Sequence, residues 1–177
     1  PKRLGTDVFA CTDQVSFGPG WTAQRLDPFL QALGFALDAD QFRLPLAAEA
    51  LEKARETLPH GDGPLLLLSP TGRSDDWPES DWHKLPDTIK NRLPGLRSMV
   101  LPADFSLPKR AALIACADVV LSSCPVSQRL ATYCGTPLVA LGAAATDLPE
   151  RSEIRCLGEP GQLATLQGSE VLTALGF

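Results

Sequence analysis

Two stretches of this sequence gather the residue types that do chemistry on an anion. Ser69-Pro-Thr-Gly-Arg-Ser-Asp-Asp-Trp77 supplies hydroxyls, a glycine that lets backbone approach a ligand, and Arg73, whose planar fork suits a phosphate. Ser122-Ser-Cys-Pro-Val-Ser-Gln128 runs into a helical pattern ending at Cys134, and a helix start offers free N–H groups and the positive end of the dipole. Arg129, one turn inside, either reaches the same anion or lies on the surface. Residue types alone leave both stretches open: the first is a ligand loop or a solvated turn, the second a phosphate site or a plain serine cap with Pro125 in the first turn.

Other reactive side chains carry less. Asp75-Asp76 could hold a metal or act as a base, but two carboxylates in a turn are usually just solvated. Cys124 stands at a helix start, where a thiol pKa falls, yet no histidine lies near it in sequence to act as base, so a cysteine nucleophile is not expected. His60 and His83 are far apart and read as surface residues. Patterns of the G-x-S-x-G, G-x-x-x-x-G-K-[ST] and G-x-G-x-x-G kind do not occur at any strand end, which removes the common hydrolase, P-loop and dinucleotide fingerprints. The cysteines Cys11, Cys116, Cys124, Cys134 and Cys156 are odd in number and never in a C-x-x-C pair, so neither a zinc site nor a disulfide scaffold is indicated and a reducing cytoplasm is expected.

The elements that must position these loops form an alternation. Leu65 to Leu68 follows Gly61-Asp-Gly-Pro64, stops at Ser69-Pro70, and has no polar alternation, so it reads as a central strand buried on both faces. Ser98–Leu101, Asp118–Leu121, Pro137–Leu141 and Glu153–Leu157 repeat the form. Leu107–Ala117 opens with Ser106 as cap and Pro108 at the first turn, and Val126–Cys134 is closed by Gly135, the usual left-handed stop. Crossover helices of that length imply parallel strands. Pro78 to Leu93 is helical in composition with a break expected at Pro86. The sequence thus predicts an α/β fold, a doubly wound parallel sheet over roughly residues 60–165, with a final helix near Ser169 to Leu175. Ligands in such sheets sit beyond the carboxyl ends of the strands, at Ser69–Asp76, Pro102–Ser106, Ser122–Gln128 and Gly142–Asp147.

Residues 1–60 read as a connector or hinge segment with flanking helices, and residues 61–177 as the α/β domain. In the first part Arg3 to Cys11 is an expected strand, Ala23 to Leu33 a helix interrupted by Pro28, and Leu46 to Leu58 an amphipathic helix with a supporting Glu49–Lys53 pair. The chain has 177 residues, 44% of them hydrophobic, 16 Lys+Arg against 21 Asp+Glu, and a net charge of -5. That is the balance of a globular protein able to bury a core, without the basic footprint of a nucleic-acid binder. The longest apolar run, Leu65–Leu68, is too short to span a bilayer, and no charged-then-apolar segment opens the chain. Pro1 in place of Met is expected of a piece of a longer protein, although a processed tag would leave the same start.

The order of motifs adds a resemblance. Leu-Leu-Ser-Pro-Thr-Gly-Arg-Ser-Asp-Asp-Trp-Pro-Glu-Ser-Asp-Trp, then Ala-Ala-Leu-Ile-Ala-Cys-Ala-Asp-Val-Val-Leu-Ser, then Cys-Gly-Thr-Pro-Leu-Val-Ala-Leu-Gly resembles the C-terminal half of glycosyltransferase family 9, the ADP-heptose:lipopolysaccharide heptosyltransferases and their relatives. The likeness runs from about Gly61 to Phe177, with Trp77-Pro78 and Cys134-Gly-Thr-Pro137 its most specific points. It implies the Rossmann-like C-terminal half of a GT-B fold, in which two such domains face each other across a cleft and this one holds a nucleotide-diphosphate sugar, ADP-linked in the heptosyltransferase case. The expected donor-binding residues are Ser69, Thr71, Gly72, Arg73, Ser122, Ser123, Val126, Ser127, Gln128 and Arg129, with no catalytic residue, metal or cofactor. The acceptor site and base would lie in the other half, the missing N-terminal domain of the same protein, so this chain alone should not transfer sugar. The resemblance also implies a cytoplasmic location, at or near the inner membrane face.

Two departures from the family pattern bear on function. Where the family has a Lys shortly before Trp-Pro that pairs with donor phosphate, Asp75 and Asp76 stand here, and a phosphate site made acidic is a damaged one. The family's Asp-Ser-Gly-Pro-x-His loop aligns with Cys124-Pro-Val-Ser-Gln-Arg129. The alternative expectation is therefore a non-catalytic descendant that acts as a binding or scaffolding module.

Overall fold

The structure, a computed structural model, describes residues 3–7, 9–38, 41–144 and 146–177. Val8, in the expected strand Arg3 to Cys11, and Ala145, in the expected loop Gly142–Asp147, lie outside them. The chain divides into two compact units, Pro1–Arg43 with Ala145–Pro149, and Leu44–Ala144 with Glu150–Phe177.

In the first unit the expected strand is replaced by two short ones, β1 (Leu4–Gly5) and β2 (Asp13–Gln14), paired in parallel. A 3-10 turn at Gln24–Leu26 leads into α1 (Asp27–Ala32). Pro28, read from the sequence as an interruption, sits in the first turn of α1, where its missing N–H is no loss.

The second unit opens with α2 (Ala48–Thr57). Strand β3 (Leu65–Ser69) follows, then α3 (Glu79–Lys90), β4 (Arg97–Val100), α4 (Leu107–Ala115), β5 (Val119–Ser122), α5 (Pro125–Cys134), β6 (Leu138–Leu141), β7 (Ile154–Leu157) and α6 (Gly168–Leu175). All five strands of this sheet are parallel, in the order β4-β3-β5-β6-β7. The chain leaves β3 toward β4 on one side and later returns to β5 on the other, so the winding reverses between β3 and β5. That is the doubly wound order with its switch point at the strand whose four leucines lie at 0–1% exposure.

One face of the sheet is sealed by a cluster in which Leu66, Leu68, Leu121, Val139 and Leu141 meet Trp77, Trp82, Leu85 and Ile89 with Leu163 and Val171. Alternate residues such as Leu67 and Val120 point the other way, where right-handed crossovers put α4 and α5. Helices α4 and α5 pack on each other, and α2 packs on α4.

The break expected at Pro86 is not there: α3 runs unbroken from Glu79 to Lys90 with Pro86 inside it. Pro86 cannot donate to the carbonyl four residues back, but Trp82, Leu85 and Ile89 are buried on both sides of it, and their packing outweighs the lost bond. Gly135 does stop α5, in the left-handed conformation at φ 71°. No helix among the described residues is long and apolar enough to cross a membrane.

Candidate functional site

The switch point leaves a crevice beyond the ends of β3, β5 and β6. Its walls are Thr71, Arg73, Asp75 and Asp76 from the loop after β3, Ser123 from the loop after β5, Pro125 at the start of α5, Leu141 and Gly142 at the end of β6, and Pro160, Gly161 and Leu163 after β7. The cavity measures about 310 Å³. A second, more apolar cleft of about 370 Å³ lies across the same loop, over Trp77, Trp82 and Val100.

Asp76 shapes the loop. One of its carboxylate oxygens accepts the Thr71 N–H at 2.8 Å, the Thr71 hydroxyl at 2.8 Å and the Gly72 N–H at 3.1 Å, and the other accepts the Trp77 N–H at 2.7 Å. The turn that brings those amides round one anion needs Gly72 at φ +69°, a conformation open to glycine at little cost. Asp76 is therefore no solvated turn residue; at 9% exposure it is the anion of its own nest. Asp75 behaves differently, pairing on the surface with Arg73 Nε at 3.1 Å.

The two strand ends are stitched together behind the crevice. The Ser123 hydroxyl accepts a second bond from Thr71 N–H at 2.9 Å, and the Ser122 hydroxyl donates to the Ser69 carbonyl at 2.9 Å. The Ser69 hydroxyl donates to Ser127 at 2.8 Å, and the Gln128 amide donates to the carbonyls of Ser122 at 2.8 Å and Leu141 at 3.0 Å.

The ten expected donor-binding residues thus separate. Thr71, Arg73 and Ser123 line the crevice, and Gly72 makes the turn between Thr71 and Arg73. Ser69, Ser122, Ser127 and Gln128 are buried and spend their polar atoms on the scaffold. Val126 and Arg129 are exposed outside the crevice lining, so Arg73 and Arg129 do not converge on it. The residues that sequence reading missed are Asp76 as brace, and Gly142, Gly161 and Leu163 as walls. Of these, Asp76 and Gly142 lay in strand-end loops that the sequence singled out, while Gly161 and Leu163 gave no signal.

The electrostatics follow from this inventory. Arg73 faces two carboxylates, so the crevice carries net negative charge. With the Asp76 nest filled, the side-chain donors left for a ligand are the Arg73 guanidinium and the Ser123 hydroxyl, which accepts from Thr71 but donates to nothing among the described residues. Among those residues no group of three or more His, Cys, Asp or Glu could hold a metal ion.

Comparison with known proteins gives no matching family model and no matching curated protein. Solved structures do match. The glycosyl transferase family 9 protein from Veillonella parvula DSM 2008 superposes with a TM-score of 0.70 at 14% identity, covering 94% of this chain and 63% of that one. E. coli ADP-heptose lps heptosyltransferase II gives 0.72 at 14% identity, covering 99% of this chain and 69% of that one. E. coli heptosyltransferase WaaC, solved with ADP-2-deoxy-2-fluoro heptose, gives 0.53 at 21% identity, covering 86% of this chain and 54% of that one. The chain has the Rossmann-like fold of the family 9 heptosyltransferases and spans a little over half to two thirds of their length.

Proposed function

We propose that this chain is the donor side of a GT-B glycosyltransferase and holds a nucleotide-diphosphate sugar, ADP-linked, in the crevice between Thr71–Asp76 and Ser123–Pro125. The observation that carries the reading is the crevice itself, a cavity of about 310 Å³ at the switch point of a doubly wound sheet, the place where such sheets bind ligands. The diphosphate engages Arg73, which leaves an exposed ion pair with Asp75 of the kind worth only about 0.2–1 kcal/mol, and the Ser123 hydroxyl. Residues 1–60 serve as the connector to a second Rossmann-like domain that brings the acceptor and the catalytic base. The protein works in the cytoplasm, in keeping with cysteines that are all free thiols.

A second reading has its own observation. The Asp76 carboxylate already occupies the amide nest at Thr71 and Gly72, as in a domain that has given up its phosphate grip and is kept for binding or scaffolding. Titrating the chain with ADP, UDP and GDP while following backbone amide shifts separates the two. The donor reading expects shifts at Thr71, Arg73, Ser123 and Gly142 with a dissociation constant between about 0.1 mM and several mM, the range for phosphate contacts without a closing domain. No shift at about 5 mM nucleotide, a concentration set by that affinity range, overturns it in favour of the scaffold.

A further inference from the structure

Arg110 on α4 is a buried cation with no counter-ion among the described residues. It is 8% exposed, and among the described residues no carboxylate pairs with it. Its Nη2 donates to the carbonyls of Pro102 at 3.2 Å and Ala103 at 3.1 Å, and its Nη1 to the Ser127 hydroxyl at 3.2 Å and to the Cys124 sulfur at 3.7 Å. The Nε is buried and has no hydrogen-bond partner among the described residues. A desolvated guanidinium that faces only neutral acceptors is costly, and the cost falls if one of those acceptors becomes an anion. Cys124 is the group among them that can.

The surroundings of Cys124 favour that charge. It is the N-cap of α5, so the positive end of the helix faces its sulfur. The N–H groups of Ser127 and Val126 stand near the sulfur, outside cap hydrogen-bond geometry but oriented to favour negative charge. Burial pushes the thiol up; those N–H groups, the Ser127 hydroxyl and the Arg110 charge outweigh burial and bring it below the ordinary thiol range. Burial instead leaves Cys116, Cys134 and Cys156 raised. Cys124 is only partly buried, so a small reagent can reach it.

We propose that Cys124 is a modification site, a nucleophilic thiolate paired with the buried Arg110 that reacts with two-electron oxidants of the peroxide class. The sulfur forms a bond to one peroxide oxygen, the O–O bond breaks, and hydroxide leaves to take a proton from solvent. Sulfur loses two electrons and becomes sulfenic acid; the peroxide gains them. The site stands on Arg110 and the α5 terminus whatever the crevice binds. It differs from the base-assisted nucleophile that the sequence fails to support, because a fixed cation does the work of a histidine.

The test is oxidation of the whole chain by limiting hydrogen peroxide, with a sulfenic-acid trap and peptide mass spectrometry. Cys124 should be trapped about tenfold faster than Cys156, although Cys156 is the more exposed, because the thiolate is the reactive form. Arg110→Gln should slow Cys124 by a few fold and leave Cys156 unchanged. Ser127→Ala removes one sulfur donor while keeping Arg110, so it gives the same reading, as a drop of a few fold, if Arg110→Gln does not fold. Equal or faster trapping at Cys156 in the parent chain overturns the proposal, as does a Cys124 rate unmoved by a folded variant.

Discussion

One oxygen of Asp76 receives both the backbone N–H and the hydroxyl of Thr71, each at 2.8 Å. An acidic residue five positions downstream thereby does for the loop what a bound anion would do, and the loop is formed before any ligand arrives. If that relationship holds the loop, Asp76→Ala should cost roughly 1.5–3 kcal/mol, the range for hydrogen bonds to a charged group, with the freed amides turning to water. Urea unfolding of the variant measures it. A loss within about 0.5 kcal/mol, as for a surface substitution, would make Asp76 an ordinary turn residue.

Strand β3 carries the second prediction. Leu67 is fully buried, with its register partners Met99 and Val120 on either side, so Leu67→Ala leaves a cavity that neither face can close. The expected loss is roughly 2–5 kcal/mol. Urea unfolding with a loss under about 1 kcal/mol would mean the site collapses as a peripheral one does.

Alkaline pH tests the packing of α4 against α5. Burial, with a smaller contribution from Cys116, raises the Cys134 thiol from 9.0 to about 11. The unfolded chain therefore loses this proton first as pH rises, so the stability held by the neutral thiol is complete below 9.0 and is lost between 9.0 and about 11. The decline in unfolding free energy across that window should be shallower in Cys134→Ala than in the parent chain. Equal slopes would show that Cys134 titrates alike in both states.

Arg73 is the cation of the crevice wall. Because it is exposed and must leave Asp75, its replacement by Ala should weaken nucleoside diphosphate binding at the low end of a charged hydrogen bond, about 1.5 kcal/mol or roughly tenfold. Calorimetric titration of both forms gives the ratio. Arg129→Ala, outside the crevice, should leave the affinity unchanged.

The scaffold was legible because its signals are local. Four consecutive leucines between turn residues announce a strand buried on both faces, and Gly135 after the nine-residue helical pattern Val126–Cys134 announces a helix stop. The site was legible only in outline. The loops after β3 and β5 stood out by composition, but whether Ser123 faces the crevice or Ser122 the scaffold depends on which side of the sheet each falls. Asp76 stood out as a carboxylate in a strand-end loop but not as its brace, and Arg110 gave no signal, since each acts through a fold contact: one reaches back to amides that the Gly72 turn presents, the other reaches from α4 to the start of α5. Pro86 misled for a related reason, its local rule being outweighed by the tryptophan and isoleucine packed around it.

Whether the crevice at the β3–β5 switch point takes a nucleoside diphosphate is read from the structure of the chain crystallised with ADP. The diphosphate should lie within hydrogen-bond reach of the Arg73 guanidinium and the Ser123 hydroxyl, with Asp76 still bonded to Thr71 and Gly72. A nucleotide bound elsewhere, or an empty crevice in crystals grown at about 5 mM ADP, well above the low end of the expected affinity range, would contradict it.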